Sequence, residues 1–464
     1  MKNFRDFVNQ YWEEAVMPTL QDYIRIPNQS PEYDPDWQTN GHIDAAMDLV
    51  LNWVKAQNVS GLSVSVERLE GRTPLMYIDI EGDASQTVLL YGHIDKQPPL
   101  DGWAEGFAPY SPLVRDGKLY GRGSVDDGYA VFACIAAIKA VQQAGARHLR
   151  CVIIIECDEE SGSTDLPFYV DALAERIGTP QLIICLDSGA GNYDQLWLTT
   201  SLRGIVAGTL RVEMLEHGVH SGEATGVVPS TFRIARELLS RIENSITGEI
   251  LDPVFFVDIP PHRVSEAGET AKILAPELVA QYPFVSGAHP LTTDIVELLL
   301  NRTWKPGMEV ISADGFPPMH QAGNVMRPWT ALKLSLRIPP RCDSAIAAAR
   351  LKEILEADAP YGARVSFEID SAVNGWNAPT SSSVLAAALT SASQEYFGAA
   401  PAFMGEGGSI PFMNMLGERF PQTQFVITGV LGPNGNAHAV NEALDIAAVK
   451  KLTCCMAALL SEMA

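Results

Sequence analysis

Three short apolar segments, each running directly into residues that can bind a metal ion, constrain this chain more than any other feature. Residues 88–91 lead into Gly92-His93, residues 151–155 into Glu156 and then Asp158-Glu159-Glu160, and residues 182–186 into Asp187. Runs of four to six apolar residues without polar alternation suit strands buried on both faces. Helix patterns separate them, one at about 127–144, so they read as strands of a largely parallel sheet covered on both faces. Sites in such sheets form beyond the carboxyl ends of the strands. The segments therefore predict one sheet and one site together.

The rest of the first half fits that sheet. Amphipathic stretches at about 4–25 and 43–57 precede strand patterns at about 62–69, 74–81 and 87–92. From about 204 the order changes to a strand at 204–215, a helix at 229–242, a strand ending near 338, a helix at 343–355 and a strand at 363–369. A βαββαβ unit accounts for it, interrupted at about 245–308 by a segment rich in Pro and Gly. The chain then returns to the first domain through Phe425-Val-Ile-Thr428 and a last helix at about 442–463.

The ligand-type residues form a set. His93 and Asp95 are two apart and share one side of an extended backbone, so a carboxylate can orient an imidazole that binds metal. Alone, so short a pair better suits a histidine satisfied within a loop. Asp126-Asp127 follows Gly121-Arg-Gly-Ser-Val and precedes a helix pattern, where capping by Asp127 and metal binding by Asp126 are compatible. Glu159-Glu160 can divide into a ligand and a free proton acceptor. Asp187 and His438 complete two imidazoles and several carboxylates, the donor set that two divalent ions sharing a carboxylate require.

Two other stretches carry less. His217 and His220 lie three apart, but Gly218 intervenes and no third ligand is evident, so a turn histidine is expected. Gly405-Glu-Gly-Gly408-Ser409 lacks the Lys and following helix of a phosphate loop, leaving a backbone N–H contact to a carboxylate or oxyanion.

Composition removes other classes. The net charge of −23 repels nucleic acid and anionic membranes and favours solubility. No apolar run approaches the roughly 18–20 residues of a membrane span, and the start Met1-Lys-Asn-Phe is too polar for a signal-peptide core. The seven cysteines form no spaced framework and read as buried reduced thiols, so a cytoplasmic protein is expected.

Taken in order, Tyr91–Lys96, Asp101-Gly-Trp, Asp116-Gly-Lys-Leu-Tyr-Gly-Arg-Gly-Ser-Val-Asp-Asp-Gly128, Asp158-Glu-Glu-Ser-Gly162, His220-Ser-Gly222, residues 405–411 and Ala437-His-Ala-Val-Asn-Glu442 resemble the dinuclear zinc metallopeptidases. That family includes carnosine and cytosolic nonspecific dipeptidases, aminoacylases, acetylornithine deacetylase and succinyl-diaminopimelate desuccinylase. The resemblance implies an α/β catalytic domain at 1–203 and 372–464 and an inserted ferredoxin-like lid and dimerisation domain at 204–371. It implies that His93 and Asp187 hold one ion and Glu160 and His438 the other, with Asp126 shared and the Asp126–Asp127 peptide cis. Glu159 would be the general base, Asp95 would steady His93, and His220 would reach a homodimer partner's site to stabilise the oxyanion. Arg337, Asn324 and Ser409 would hold the substrate.

Within that family, the resemblance implies an aminopeptidase or dipeptidase from Asp rather than Glu at 187, and the central block looks like the carnosine dipeptidase branch. The expected activity is hydrolysis of dipeptides or small peptides with zinc or manganese, the alternatives being an N-acyl amino acid amidohydrolase and a non-catalytic binding protein.

Overall fold

A computed structural model describes residues 3–275 and 277–464. Met1 and Lys2, from the polar start, and Pro276, within the insert, lie outside the described residues. The chain divides into two compact units, one of Met1–Thr200, Ala378–Met404 and Met415–Ala464, the other of Ser201–Asn377 and Gly405–Asn414.

The first unit is built on a six-stranded sheet. Across it the order is Leu62–Glu67, Leu75–Ile80, Leu149–Glu156, Asp83–His93, Pro180–Cys185 and Gln424–Ile427. The last four strands run parallel, and the first two pair antiparallel at one side. Residues 149–156 and 180–185 are almost wholly buried, which explains why they show no polar alternation. His93 lies opposite Glu156 and Tyr91 opposite Cys185, so three neighbouring strands end level with one another. Sheet register thus brings residues 93, 159–160 and 187 to one rim.

Helix Ala130–Gln143 packs on the strand that ends at His93 and is buried round most of its surface. Its alanines allow close approach, and Gly92 meets it: a Cβ there would lie 2.8 Å from Ala130 Cβ and 2.9 Å from Asp127 Oδ2. Helix Ile446–Glu462 packs against this helix and against Ser383–Tyr396. Its start is capped by Asp445, which accepts the Ala448 N–H at 2.8 Å. Each aliphatic side chain buried in this core contributes about 1.5–3 kcal/mol relative to exposure.

The second unit has a four-stranded antiparallel sheet in the order Gly307–Asp314, Trp329–Ile338, Gly204–Glu213 and Arg364–Val373. In Gly204–Glu213 alternate residues are buried, and Val206, Leu210 and Val212 share a core with Ile234 and Leu238 of Thr231–Leu239 and with Leu351 and Leu355 of Ser344–Glu356. Strand, helix, strand, strand, helix, strand in this order is the ferredoxin-like arrangement. The insert contains helices Pro261–Leu274, Glu277–Ala280 and Ile295–Thr303, which the sequence reading did not resolve. Among the described residues, no helix is long and apolar enough to cross a membrane.

Candidate metal centre

His93 is the last residue of its strand and is buried. Its Nδ1 lies 3.3 Å from Asp95 Oδ1 and 3.2 Å from the Asp95 carbonyl. Its Nε2 faces inward, 3.4 Å from Asp126 Oδ1 and 3.8 Å from Asp187 Oδ2. Asp95 also does something the sequence did not suggest. Its two oxygens accept the backbone N–H groups of Glu159 at 3.2 Å and Glu160 at 3.0 Å, so one carboxylate orients the imidazole and fixes the glutamate turn.

Asp126 lies opposite. Its Oδ2 is 2.9 Å from His438 Nε2, which is also 3.2 Å from Glu160 Oε2. The two oxygens of one carboxylate therefore face two different imidazoles. His438 comes from a loop with positive φ at Asn434, Asn436, His438 and Asn441, conformations that Asn tolerates better than most residues. The Asp126–Asp127 peptide is cis. Asp127 does not cap the following helix, contrary to the capping reading. Its Oδ2 accepts the His93 N–H at 3.3 Å, anchoring the strand end instead.

Ligand-type atoms of His93, Glu159 and Asp187, and of His93, Asp126 and Glu160, each lie within 4.8 Å of one another. Electrostatics show what this crowding demands. Burial and then the Asp126 charge push the Asp187 carboxyl up to about 7. Burial followed by Asp187 raises Glu159 well above the carboxylate range. Burial opposes charge on His438, yet Asp126 and Glu160 raise its imidazole to about 11. Burial likewise opposes ionisation of Asp126, and the two imidazoles override it and lower its pKa.

Divalent cations fit this cluster on a separate observation. His93 Nε2 and Glu160 Oε1 are buried without a hydrogen-bond partner, as donor atoms reserved for an ion would be.

Groups beyond the predicted set also act here. Gln97 donates its side-chain amide to Glu160 Oε2. Lys96 is buried and donates to the carbonyls of Tyr23 at 2.9 Å and Ile26 at 2.7 Å, tying the N-terminal helices to the centre. Gln97 carries no pattern that would mark it in sequence, and Lys96 entered only as the end of the Tyr91–Lys96 stretch.

The remaining predicted residues lie in the second unit. His220 is exposed, and its Nδ1 accepts the Gly222 N–H at 3.1 Å. Its strand Val219–His220 pairs with Val325–Met326, and the Ser221 N–H donates to the Asn324 carbonyl at 2.9 Å, bringing His220 beside Asn324. Arg337 donates to Ser409 Oγ at 3.2 Å, and Ser409 donates to the Arg203 carbonyl at 2.6 Å. Arg203 was not anticipated; burial and then the Arg337 charge lower its guanidinium to about 10.

Comparison with known proteins places this geometry in context. Residues 89–462 match the model for peptidase family M20/M25/M40. A cysteinylglycine-S-conjugate dipeptidase of Corynebacterium striatum is 31% identical over 377 residues, 78% of each chain. A beta-Ala-His dipeptidase of Rattus norvegicus is 26% identical over 393 residues, 80% of this chain and 76% of that one. The solved structure of the dipeptidase Dug1p from Saccharomyces cerevisiae superposes with a TM-score of 0.77 at 21% identity, covering 99% of this chain and 97% of that one.

Proposed function

This chain belongs to peptidase family M20/M25/M40, and from that premise we propose that it is a metallopeptidase that hydrolyses dipeptides with two divalent ions at the centre described above. The observation that carries the reading is Asp126, whose two oxygens face His93 at 3.4 Å and His438 at 2.9 Å. A carboxylate so placed can be shared by two ions. His93 and Asp187 would hold one ion and Glu160 and His438 the other, while Asp95 orients His93. Zinc suits mixed imidazole and carboxylate donors best, and manganese also suits them. Ions held there would supply Lewis-acid polarisation of the scissile carbonyl and a lowered pKa for the attacking water.

The protein's own groups do the rest. Glu159, partly exposed beside its buried neighbour Glu160, takes the water's proton and hands it to the leaving amine. His220, supplied by a second copy in a homodimer, offsets the charge on the oxyanion. Arg337, hydrogen-bonded to Ser409, pairs with the peptide's carboxylate through its planar fork, and Asn324 is a further group that holds the substrate. The named relatives are dipeptidases, which favours free dipeptides over N-acyl amino acids. The seven buried, free thiols support a reducing, cytoplasmic setting, and the acidic surface argues against nucleic-acid or membrane partners.

The test is hydrolysis of a panel of free dipeptides and N-acetyl amino acids by metal-stripped protein, with zinc or manganese restored. Cleavage of free dipeptides only after metal addition is expected. Cleavage confined to the acylated compounds would move the enzyme to amidohydrolase chemistry.

A further inference from the structure

Two loops that deliver ligand-type residues hang from one short ladder. Strands Lys118–Tyr120 and Ala443–Asp445 pair antiparallel, with Ala443 opposite Tyr120. The chain leaves the first strand toward Asp126 and arrives at the second from His438. Between them sits Glu442, fully buried. Its Oε1 accepts the backbone N–H groups of Gly123 at 3.0 Å, Val125 at 3.1 Å and Asp126 at 3.3 Å. Its Oε2 accepts from Arg122 Nη1 at 2.7 Å, and its own carbonyl accepts the Gly121 N–H at 3.0 Å. Every one of these bonds lands within residues 121–126.

Three main-chain donors aimed at one carboxylate oxygen curl the loop around that oxygen, as N–H groups do around a bound anion. The curl needs φ of +81° at Gly123, where a Cβ would also lie 2.5 Å from Lys96 Cε. The last donor is Asp126 itself, so the carboxylate fixes the backbone from which the shared ligand projects. We propose that Glu442 is the positioning residue that aims Asp126 at both ions, an inference that rests on the metal-centre reading above.

A different role would give Glu442 only as the counter-charge of Arg122. The geometry separates the two, because one oxygen is given entirely to main-chain donors and only the other to the guanidinium. Charge-assisted hydrogen bonds are roughly twice as strong as neutral ones, so Glu442→Gln weakens the loop's anchor. Arg122→Gln breaks the same ion pair and leaves Oε1 facing its three main-chain donors.

The experiment is calorimetric titration of zinc, and separately manganese, into metal-stripped full-length protein, with folding checked by circular dichroism. Glu442→Gln is expected to lower affinity for at least one ion about 10- to 100-fold, the usual effect of losing a group that orients a ligand. Arg122→Gln is expected to stay near wild type. Equal loss in both variants, or none in either, overturns the positioning role. If Glu442→Gln does not fold, Glu442→Asp keeps the charge but shortens the reach, and unaltered affinity in that variant overturns the role as well. Wild-type protein that takes up neither metal would instead overturn the metal-centre reading, a result distinct from normal uptake by all variants.

Discussion

Glu159 and Glu160 are chain neighbours whose backbone N–H groups share one acceptor, Asp95, yet their carboxylates meet different surroundings. Glu160 is buried between His438 and Gln97, whereas Glu159 keeps some exposure beside His93 and Asp187. A bound ligand should be fixed and a proton carrier accessible, which divides the pair as proposed. Glu159→Gln keeps the shape and removes the basicity. It is expected to retain fold and metal content while kcat falls about 10²- to 10⁴-fold, the usual range for general-base loss. Metal analysis beside steady-state kinetics checks it, and near-normal turnover would reassign the base. Glu156 poses a different residue-scale question. It accepts the Tyr91 and Ser163 hydroxyls on one oxygen, its other oxygen is buried without a partner, and burial raises its carboxyl to about 8. The unfolded chain would release this proton near 4.5, so between about 4.5 and 8 the folded state binds more protons and stability falls as pH rises. Glu156→Gln mimics the protonated acid at every pH. Urea unfolding of metal-stripped protein should therefore show a smaller loss between pH 5 and pH 8 in the variant than in wild type. Identical slopes would show that Glu156 does not hold its proton.

At the scale of elements, legibility followed the reach of the interaction. Strands at 149–156 and 180–185 could be read because burial on both faces leaves an uninterrupted apolar run, and the ligands after them because strand ends in a parallel sheet are where sites form. The alternation in Gly204–Glu213 and the asymmetric faces of its partner helices made the second unit readable for the same local reason. Helix Pro261–Leu274 was invisible: it carries Gly268 in its interior, only Arg263, Thr270, Ala271 and Leu274 are buried, and no apolar stripe forms. Asp127 misled because a residue before a helix ordinarily caps it, while here the strand 34 positions earlier offers a better-placed donor. Glu442 was legible only as part of a family pattern. The bonds of its carboxylate reach residues 316 to 320 positions away, and no local periodicity encodes a carboxylate that anchors a distant loop.

For the whole molecule, the centre concentrates a problem that the surface only spreads. The chain carries 56 acidic against 33 basic residues, most of them separated by water, but Asp126, Glu160 and Asp187 are buried together with Asp95 and Asp127. Without cations such a cluster must gather protons or repel itself, as Asp187 does in being raised to about 7. Divalent ions replace those protons, so they should stabilise the fold and release protons on binding. An ion present at one hundred times its Kd adds about 2.7 kcal/mol to the folded state. That gain is expected to shrink below about pH 7, where protons compete for Asp187. Its location follows from where the proposed ligands lie, since all five belong to the first unit. Hydrogen exchange of protein with and without a chelator reads this directly. Chelation should strip protection from Asp83–His93, Leu149–Glu156 and Pro180–Cys185, the strands whose ends carry or lead to the ligands, and leave Gly204–Glu213 near its original protection. Equal loss in both units would mean that they open as one cooperative body, and unaltered protection throughout would mean that the cluster holds its shape without ions.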